Sequence, residues 1–300
     1  YIMSSNKSGF SNRTDNNLRS KISFNWDLGS ITEGLSVNGY AGIRNWTTDT
    51  KAWYTPWTVY TYQQGTEDYI PQMGFSQTGT ERILRETFWK YNELMLNATV
   101  RYDRTFDNHT FRGLAGYEQF TADQRTFYSE KRDFPSDNHP ELFAGSDEGQ
   151  VASGGSTEWG RLNYFGLLSY DFKKKYFVDF TLRHDGSSNF GEGKRFGTFP
   201  GVAVAWSISD EDFMAGTKGF LSSLKLRTSW AIMGNDRVGA FQHLTRYNYG
   251  GVLNTNSPNY YTFGTPGVRQ LGYTSANVPN PDITWETADM KNVGLSFAFF

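Results

Sequence analysis

Two stretches rich in tryptophan and tyrosine carry the side chains best suited to contact a ligand. The first stretch contains Trp53, Tyr54, Trp57, Tyr60 and Tyr62. The second stretch contains Tyr247, Tyr249, Tyr260, Tyr261 and Phe263. Aromatic faces are flat apolar surfaces on which sugar C–H groups stack, and the polar tips of Tyr and Trp form hydrogen bonds. Because both stretches fall in predicted loops, we expect some of these rings to contact a ligand or a partner protein. The alternative is that they only pack the loops on one another.

The side chains that catalysis or metal binding would need do not form recognisable motifs. The four histidines, His109, His139, His184 and His243, lack the spacing of zinc ligands, and the chain has no cysteine. The Gly-rich segment before Lys194 lacks the Gly-Lys-Ser/Thr ending of a phosphate-binding loop. The acidic pairs at 67–68 and 147–148 are expected to be solvated loop charge. We therefore expect a protein that is not an enzyme and that holds no cofactor or metal.

The composition argues against two classes of protein. The formal net charge of -2 disfavours nucleic acid as a partner held by bulk charge. No apolar run approaches the roughly 20 residues of a transmembrane helix. The mean hydropathy is -0.60, yet 17% of the residues are aromatic and 31 are glycine. A strand of an outer-membrane barrel presents only every second residue to lipid, so such a barrel combines low mean hydropathy with many aromatic residues.

Long segments of the chain alternate apolar and polar residues with period two, which predicts strands with two different faces. We predict about ten strands on this pattern, several longer than the 9–11 residues that cross a bilayer. The clearest ones cover 18–28, 35–44, 94–103, 164–172, 176–185, 202–208, 224–232 and 293–299. The single predicted helix is Asp210 to Lys218, with Ser209 as its cap.

The predicted connections alternate in length along the chain. Short ones lie near 29–34, 105–109, 173–175 and 209–221. Long ones lie near 47–85, 121–157, 186–197 and 236–284. Outer-membrane barrels have short periplasmic turns and long extracellular loops, whereas a soluble sandwich has no reason to sort its loops in this way. The sequence therefore predicts part of a transmembrane antiparallel β-barrel, with a secreted β-sandwich or adhesin as the alternative.

Aromatic residues near the predicted strand ends support the barrel. Tyr and Trp concentrate at both interfaces of a membrane, where one side of the ring is apolar and the other reaches water. The residues in this position are Trp26, Tyr102, Tyr164, Tyr170, Tyr176 and Trp206.

From about Asn163 to the end, the chain resembles the SusC/RagA family of TonB-dependent transporters from Bacteroidetes. The resemblance rests on ordered motifs at compatible spacing. The first 160 or so residues match only in their general pattern and carry none of these motifs. One departure is Leu167, where the family often carries Arg. The motifs are Asn163-Tyr-Phe-Gly-Leu-Leu-Ser-Tyr170, Lys175-Tyr-Phe, Arg183-His-Asp-Gly-Ser-Ser-Asn-Phe190, Arg195-Phe-Gly-Thr-Phe-Pro-Gly201, Ala205-Trp-Ser-Ile-Ser209, Leu224-Lys-Leu-Arg-Thr-Ser-Trp230, Gly234-Asn-Asp-Arg-Val-Gly239, Asn280-Pro-Asp-Ile-Thr-Trp-Glu286 and Asn292-Val-Gly294.

This resemblance implies an outer-membrane barrel of about 22 strands closed by a plug and energised by TonB. It further implies a SusD-like surface lipoprotein as partner and glycans or peptides as substrates. Residues 1–300 are then expected to be a fragment of the barrel domain, with the plug domain, TonB box and closing strands outside it. Alone, such a fragment would have open sheet edges that lipid does not tolerate.

The motif residues are expected to build the barrel and not to contact substrate. Arg183 and Asp185 are expected to share one face and to pair, and Pro200 is expected at a bulge or at a strand start. The full set is Arg183, Asp185, Gly186, Ser187, Ser188, Gly197, Pro200, Trp206, Gly234, Asn235, Asn280, Pro281, Trp285 and Glu286. An alternative function in the same structural class is a siderophore or vitamin receptor, against which these motifs weigh.

Overall fold

The computed structural model describes residues 9–66, 68–73, 81–217, 219–249, 260–263, 268–271 and 273–299. Within these ranges the chain forms fifteen strands and three short 3₁₀ helices, and no helix is long and apolar enough to cross a membrane. The strands are β1 (Gly9–Asp27), β2 (Leu35–Tyr54), β3 (Thr58–Gln63), β4 (Asp68–Met73), β5 (Ile83–Phe106), β6 (His109–Arg132), β7 (Ser146–Phe172), β8 (Tyr176–Ser187), β9 (Phe196–Ser207), β10 (Leu221–Asn235), β11 (Tyr247–Tyr249), β12 (Tyr260–Phe263), β13 (Val268–Leu271), β14 (Tyr273–Ser275) and β15 (Glu286–Phe299).

Nine strands form one sheet in the order β1-β2-β5-β6-β7-β8-β9-β10-β15. The pairs from β7 through to β15 are antiparallel. The six remaining strands form three two-stranded sheets, β3–β4, β11–β14 and β12–β13. Strands that follow one another along the chain are neighbours in the large sheet, as expected for antiparallel strands joined by turns. The hairpins predicted from the alternating segments are therefore confirmed.

Two tight turns of this sheet use backbone conformations in the left-handed region. Asp107 has φ 49°, and Lys173 and Lys174 have φ 53° and 56°. A positive φ is costly for a residue with a Cβ, so the surrounding hydrogen bonds must hold it. Lys173 N donates to Asn108 O at 2.7 Å, and Lys175 N donates to Phe172 O at 3.0 Å. The predicted turns at 107–108 and 173–175 are confirmed.

The chain divides into two compact units. Unit 1 comprises Tyr1–Ile22, Gly42–Leu94 and Thr121–Glu158. Unit 2 comprises Ser23–Ala41, Met95–Phe120 and Trp159–Phe300.

One face of the unit 2 strands is apolar and uncovered. Val178, Phe180 and Leu182 alternate along β8 and remain 40%, 45% and 41% exposed. Cross-strand pairing extends this face into rows, because residues opposite one another point to the same side. One row runs Phe172, Tyr176, Trp206, Leu226, Leu295 across five strands. Exposed apolar rows of this extent are unusual in a soluble protein and are typical of a surface that faces lipid.

The opposite face of the same strands is polar. The row one residue beyond Val178 contains Ser169, Asp179, Ala203, Ser229 and Asn292. A one-residue slip in register would exchange the two faces, so the alternation in sequence specifies the register. The exposed apolar face and the polar face are those expected of a barrel wall.

Unit 1 has its own small core at one end of its strands. Trp53, Leu84 and Phe134 are buried, at 3%, 0% and 3% exposure, and Phe10, Leu142 and Ala144 pack around them. The rings of Trp53 and Phe134 meet edge to face with centroids 4.8 Å apart. This packing ties the segment after β6 to β2 and β5.

Unit 2 buries Phe199 against two glycines of the ordered motifs. A Cβ at Gly234 would lie 2.1 Å from Phe199 Cζ, and one at Gly197 would lie 2.4 Å from the same atom. Phe199 is 6% exposed, and its ring contacts Trp285 with centroids 5.2 Å apart. Glycine is required at both positions because the aromatic ring occupies the space of a side chain.

Three expectations about local structure are corrected. The segment 121–157 is mostly strand, since β6 continues to Arg132 and β7 begins at Ser146. Likewise, β2 continues to Tyr54, and β3 and β4 pair within 47–85. In place of one helix at Asp210–Lys218, two 3₁₀ helices cover Ile208–Asp210 and Asp212–Thr217. Ser209 was expected to cap this helix, but the serine whose hydroxyl bonds Asp210 is Ser207. Its Oγ donates to Asp210 Oδ2 at 2.6 Å.

Pro200 marks neither a bulge nor a strand start. It lies inside β9 opposite Leu182 of β8, in a register without a shift. The ladder between β9 and β10 covers residues 201–207 of β9, so Pro200 is one residue outside it, next to Gly201, which is opposite Ala231. The proline is tolerated because it stands beyond the end of that ladder, where a missing N–H breaks no hydrogen bond to β10.

The packing of Phe199 predicts the effect of a single methyl group. We expect Gly234→Ala to destabilise the full-length protein by about 1–3 kcal/mol, because the new Cβ overlaps the buried ring. The matched control is Gly294→Ala on β15, where a Cβ meets nothing within 4 Å. Thermal unfolding in detergent measures both. Equal unfolding temperatures for the two variants would contradict this packing.

Candidate functional site

A cluster of rings on β2 and β5 is the most developed candidate contact surface in unit 1. We call Arg44, Trp46, Trp89 and Tyr91 the aromatic wall. Arg44 and Trp46 alternate on β2, and Trp89 and Tyr91 alternate on the neighbouring β5. Trp46 and Trp89 meet edge to face with centroids 5.0 Å apart, and Trp89 and Tyr91 are parallel with centroids 6.1 Å apart. Residues two apart on a strand share a face, so the rings form one continuous surface.

Arg44 lies within this surface and not at its rim. Its Cζ is 4.8 Å from the centroid of the Trp46 ring and 5.5 Å from that of Tyr91. Arginine binds aromatic faces in this way through the attraction of the cation to the ring quadrupole. Arg44 Nε is buried and has no hydrogen-bond partner.

The carboxylates near the aromatic wall already have partners. Asp15 accepts two hydrogen bonds from Arg13, at 2.8 and 2.9 Å, one from Thr48 Oγ1 at 2.5 Å and one from Trp46 Nε1 at 3.3 Å. Glu93 Oε2 accepts the hydroxyl of Tyr91 at 2.8 Å. Asp15 and Glu93 thus orient two rings of the wall.

Sequence reasoning did not find the aromatic wall. Arg44 ends the predicted strand 35–44, and Trp46, Trp89 and Tyr91 lie between the predicted strands 35–44 and 94–103, with no predicted role. The signal available in the sequence is the spacing of Arg44 and Trp46, and of Trp89 and Tyr91, at two residues each. That spacing predicts a shared face on each strand, but only the pairing of β2 with β5 brings the two pairs together.

The structure separates the residues of the first predicted aromatic stretch. Trp53 belongs to the buried core of unit 1, so its ring is covered and not available to a ligand. Tyr54 and Trp57 are half-buried, and Trp57 Nε1 is buried without a hydrogen-bond partner. Tyr60 and Tyr62 are 60% and 51% exposed.

The exposed members of that stretch lie on the β3–β4 hairpin. Tyr62 is opposite Tyr69, and Tyr60 is opposite Pro71, so these four residues share one face. The rings of Tyr62 and Tyr69 are 5.5 Å apart between centroids, and Tyr69 is 67% exposed. We call Tyr60, Tyr62 and Tyr69 the hairpin tyrosines.

The structure describes only one side chain of the second predicted aromatic stretch. Tyr247 begins β11 and is 60% exposed. The side chains of Tyr249, Tyr260, Tyr261 and Phe263 lie outside the described residues.

The ordered motifs of unit 2 meet where the last residues of β8 and β10 lie near the interior of β7. Arg161 holds Asp236 through two hydrogen bonds, at 2.9 and 2.7 Å, and the Asp236 side chain is 8% exposed. Ser188 Oγ accepts from Gly160 N at 2.9 Å, and buried Ser187 accepts from Asn189 N at 3.3 Å. These bonds tie the loops after β8 and β10 to β7, and Asn189 Nδ2 donates to Asp236 O at 3.1 Å, which joins the two loops directly.

Other motif residues complete this anchoring. The expected pairing of Arg183 with Asp185 occurs, through two hydrogen bonds at 2.9 and 3.0 Å. Asn235 Nδ2 donates to Glu286 Oε2 at 2.8 Å, across β10 and β15. Trp285 Nε1 donates to Arg195 O at 3.0 Å.

The remaining motif residues shape turns and close contacts. Asn280 Oδ1 accepts from Asp282 N at 3.2 Å, and Asn280 O accepts from Ile283 N at 3.3 Å, around Pro281. Proline suits this position of a turn because its φ is already set. Gly186 leaves room for Phe196, whose ring would lie 2.6 Å from an added Cβ.

The opposite end of β8 and β9 carries a hydrogen-bonded carboxylate. Glu211 Oε1 accepts from Tyr176 OH at 2.5 Å and from Trp206 Nε1 at 2.9 Å. Its Oε2 accepts from Lys175 Nζ at 3.2 Å. These hydrogen bonds, that of Tyr176 foremost, lower the pKa of Glu211. Tyr176, which is exposed, and Trp206, which is half-buried, therefore each combine a ring with a fixed polar tip, as interface aromatics do.

Glu211 predicts a pH dependence of stability. Its pKa is below the ordinary value of 4.5 in the folded state, so its contribution is fully present above about pH 4.5 and is lost as the pH falls through the folded-state pKa. We expect Glu211→Gln to lower the unfolding temperature at pH 7 and to match wild type at a pH below that pKa. Asp212→Asn is the matched control, since that carboxylate is also near Lys175, at 3.8 Å, but is fully exposed. A difference between wild type and Glu211→Gln that stays constant down to pH 3 would contradict this role of the carboxylate.

Within the residues that the structure describes, no group of three or more His, Cys, Asp or Glu side chains could hold a metal ion. The arrangement at the aromatic wall and at the hairpin tyrosines is suited to binding through stacking and hydrogen bonds.

Comparisons with known proteins agree with the fold. No family model matches the chain. TonB-dependent receptor P39 of Formosa agariphila is 33% identical over 230 residues, which is 74% of this chain and 20% of that protein. TonB-dependent receptor SusC of Bacteroides thetaiotaomicron is 38% identical over 142 residues, which is 46% of this chain and 13% of SusC.

Among solved structures, the RagAB peptide transporter matches with a TM-score of 0.74 at 20% identity, over 97% of this chain and 29% of that chain. The chain spans about a fifth or less of the length of its curated relatives. The strand order, the exposed apolar face and these similarities agree. The chain is a segment of a SusC/RagA-like TonB-dependent receptor of the outer membrane, folded as part of an antiparallel transmembrane β-barrel.

Proposed function

We propose that this segment forms part of the wall of an energy-coupled importer that carries oligosaccharides or peptides across the outer membrane. The observation that carries the proposal is the two-faced sheet of unit 2, in a chain similar to TonB-dependent receptors over 74% of its length. Its apolar face suits lipid, and its polar face suits an aqueous path. Transport requires no catalytic group of this chain.

We further propose that the parts an importer needs besides this wall lie elsewhere in the full-length protein. These parts are the plug domain, the TonB box and the closing strands. The short coverage of the curated relatives, between 13% and 20% of their length, supports this division. TonB then contacts the receptor through a segment outside these 300 residues.

The partner we propose is a SusD-like surface lipoprotein. The hairpin tyrosines offer it a compact surface, because Tyr60, Tyr62 and Tyr69 are more than half exposed on one hairpin. Tyrosine is enriched at protein interfaces, since it buries a large area and keeps a polar tip. Similarity to SusC and to RagAB supports such a partner.

The structure changes the set of aromatic residues that we propose to contact substrate. Trp53 is left out, because its ring is packed in the core of unit 1. The exposed members, Tyr60, Tyr62 and Tyr247, keep the proposed contact with substrate or partner. Trp57, which is half-buried with an unpartnered Nε1, keeps it too. For Tyr54, Tyr249, Tyr260 and Tyr261, contact with a ligand stays a prediction.

Two other functions are weaker. A siderophore or vitamin receptor would share the barrel, but the identity of 38% to SusC favours the nutrient importers. A secreted adhesin with a soluble fold would cover its apolar faces, whereas Val293, Leu295 and Phe297 on β15 are 79%, 56% and 60% exposed.

Growth and uptake by a strain that lacks the full-length receptor test this function. We expect the deletion to abolish growth on one glycan or peptide source within a panel, and loss of TonB to have the same effect on that source. The wild-type receptor should restore growth. Growth unchanged on every source, or restored without TonB, would contradict energy-coupled import.

The same strain tests the hairpin. A receptor with Tyr60→Ala, Tyr62→Ala and Tyr69→Ala should give at least about tenfold slower uptake at an unchanged outer-membrane level, because the rings proposed to contact the lipoprotein or the substrate are lost. The matched control replaces the same three residues with Phe, which keeps the rings. Uptake at the wild-type rate by the alanine receptor would rule out a role for the hairpin tyrosines.

A further inference from the structure

We propose that Arg44 binds a carboxylate of the transported ligand. The inference rests on the proposed function and narrows its substrate class. The ligand would be an acidic oligosaccharide that contains uronic acid, or a peptide with a free carboxylate. Both sources share the same chemistry, and the experiment below separates them.

The first support is that Arg44 has no anionic partner. Within the part of the chain that the structure describes, no carboxylate oxygen lies within 4.0 Å of its guanidinium, and its Nε is buried without a hydrogen bond. Four other arginines of unit 1 are paired with a carboxylate within that distance: Arg13 with Asp15, Arg82 with Asp137, Arg85 with Glu130, and Arg132 with Glu81 and Glu130. Arg19 and Arg125, like Arg44, have no such partner among the described residues, but they lack the two-ring setting of Arg44.

The second support is the setting of the guanidinium. Trp46 and Tyr91 both lie within cation–π range of Arg44, and such contacts fix a flexible side chain in place. Nε is buried, so a ligand would be bound through the two terminal Nη groups, which have no hydrogen-bond partner within the described residues. Those donors match the two oxygens of a carboxylate, which makes arginine the preferred partner for this group.

The third support is that the neighbouring carboxylates are already engaged. Asp15 is held by Arg13 and Thr48, and Glu93 accepts the hydroxyl of Tyr91. They orient the rings and do not neutralise Arg44. The parallel faces of Trp89 and Tyr91, 6.1 Å apart, provide apolar surface beside the cation for the rest of the ligand.

Binding of matched ligand pairs to the purified full-length receptor tests the proposal. One pair is trigalacturonic acid and its methyl ester. The other is a pentapeptide with a free C-terminal carboxylate and the same peptide as its C-terminal amide. Wild type should bind the charged member of at least one pair about tenfold or more tightly than the neutral member. The pair that shows this preference identifies the source of the carboxylate.

Variants then assign the preference to Arg44. Arg44→Gln should abolish it and leave affinity for the neutral member within about twofold, while Arg44→Lys should keep part of it. Arg125→Gln is the matched control, since Arg125 is exposed and contacts a single ring, that of Phe127, at 5.8 Å. Glu93→Gln should leave the preference intact or increase it, which separates ligand binding by Arg44 from a structural pairing with Glu93.

Equal affinity of wild type for both members of both pairs, absence of binding to every probe, or an equal loss for charged and neutral members in Arg44→Gln would overturn the proposal. TonB-dependent uptake measured in cells reports separately on the importer. Uptake that depends on TonB together with no carboxylate preference would overturn the inference and leave the proposed function standing.

Discussion

The backbone hydrogen-bond ladder between antiparallel strands is the interaction on which the other features depend. Inside a bilayer no water is available to a free N–H or C=O, so each strand must be paired on both sides. The sheet order from β1 to β15 provides that pairing for the seven strands between them. β1 and β15 are the two outermost strands of this order, so in lipid each would require a further partner strand.

Register converts this ladder into two chemically different surfaces. The row through Val178 and Val204 is apolar, and the row through Asp179 and Ala203, one residue away, ends in Ser229 and Asn292. The same geometry produces the aromatic wall, where residues two apart on β2 meet residues two apart on β5. Lipid contact, a polar path and a contact surface for ligand can thus arise from one repeating backbone arrangement, each set by the side chains on one face.

Sequence alone predicted the strands whose two faces differ, and it failed where both faces are polar. The alternation of Tyr176, Val178 and Phe180 with polar neighbours predicted β8. The second half of β6 and the first half of β7 contain few apolar residues at period two, so they were predicted as a loop. Their strand conformation comes from continued backbone pairing, which leaves no apolar pattern to detect.

The site residues show a similar limit. The pairing of Arg183 with Asp185 was predictable, because residues two apart on a strand share a face. The burial of Trp53 was not, since it depends on Phe134, which is 81 positions further along the chain. The aromatic wall likewise depends on a pairing between Arg44 and Tyr91 that no local pattern indicates.

Site-directed spin labelling of β8 in the full-length receptor, reconstituted in lipid bilayers, tests the central claim most directly. This chain contributes no cysteine of its own, so single cysteines at 178, 179, 180, 181 and 182 can be labelled in turn. A barrel wall predicts that labels at 178, 180 and 182 are accessible to oxygen dissolved in lipid, and that labels at 179 and 181 are not. Accessibility without this period-two alternation, or to water-soluble reagents on both faces, would contradict a wall between lipid and an aqueous path.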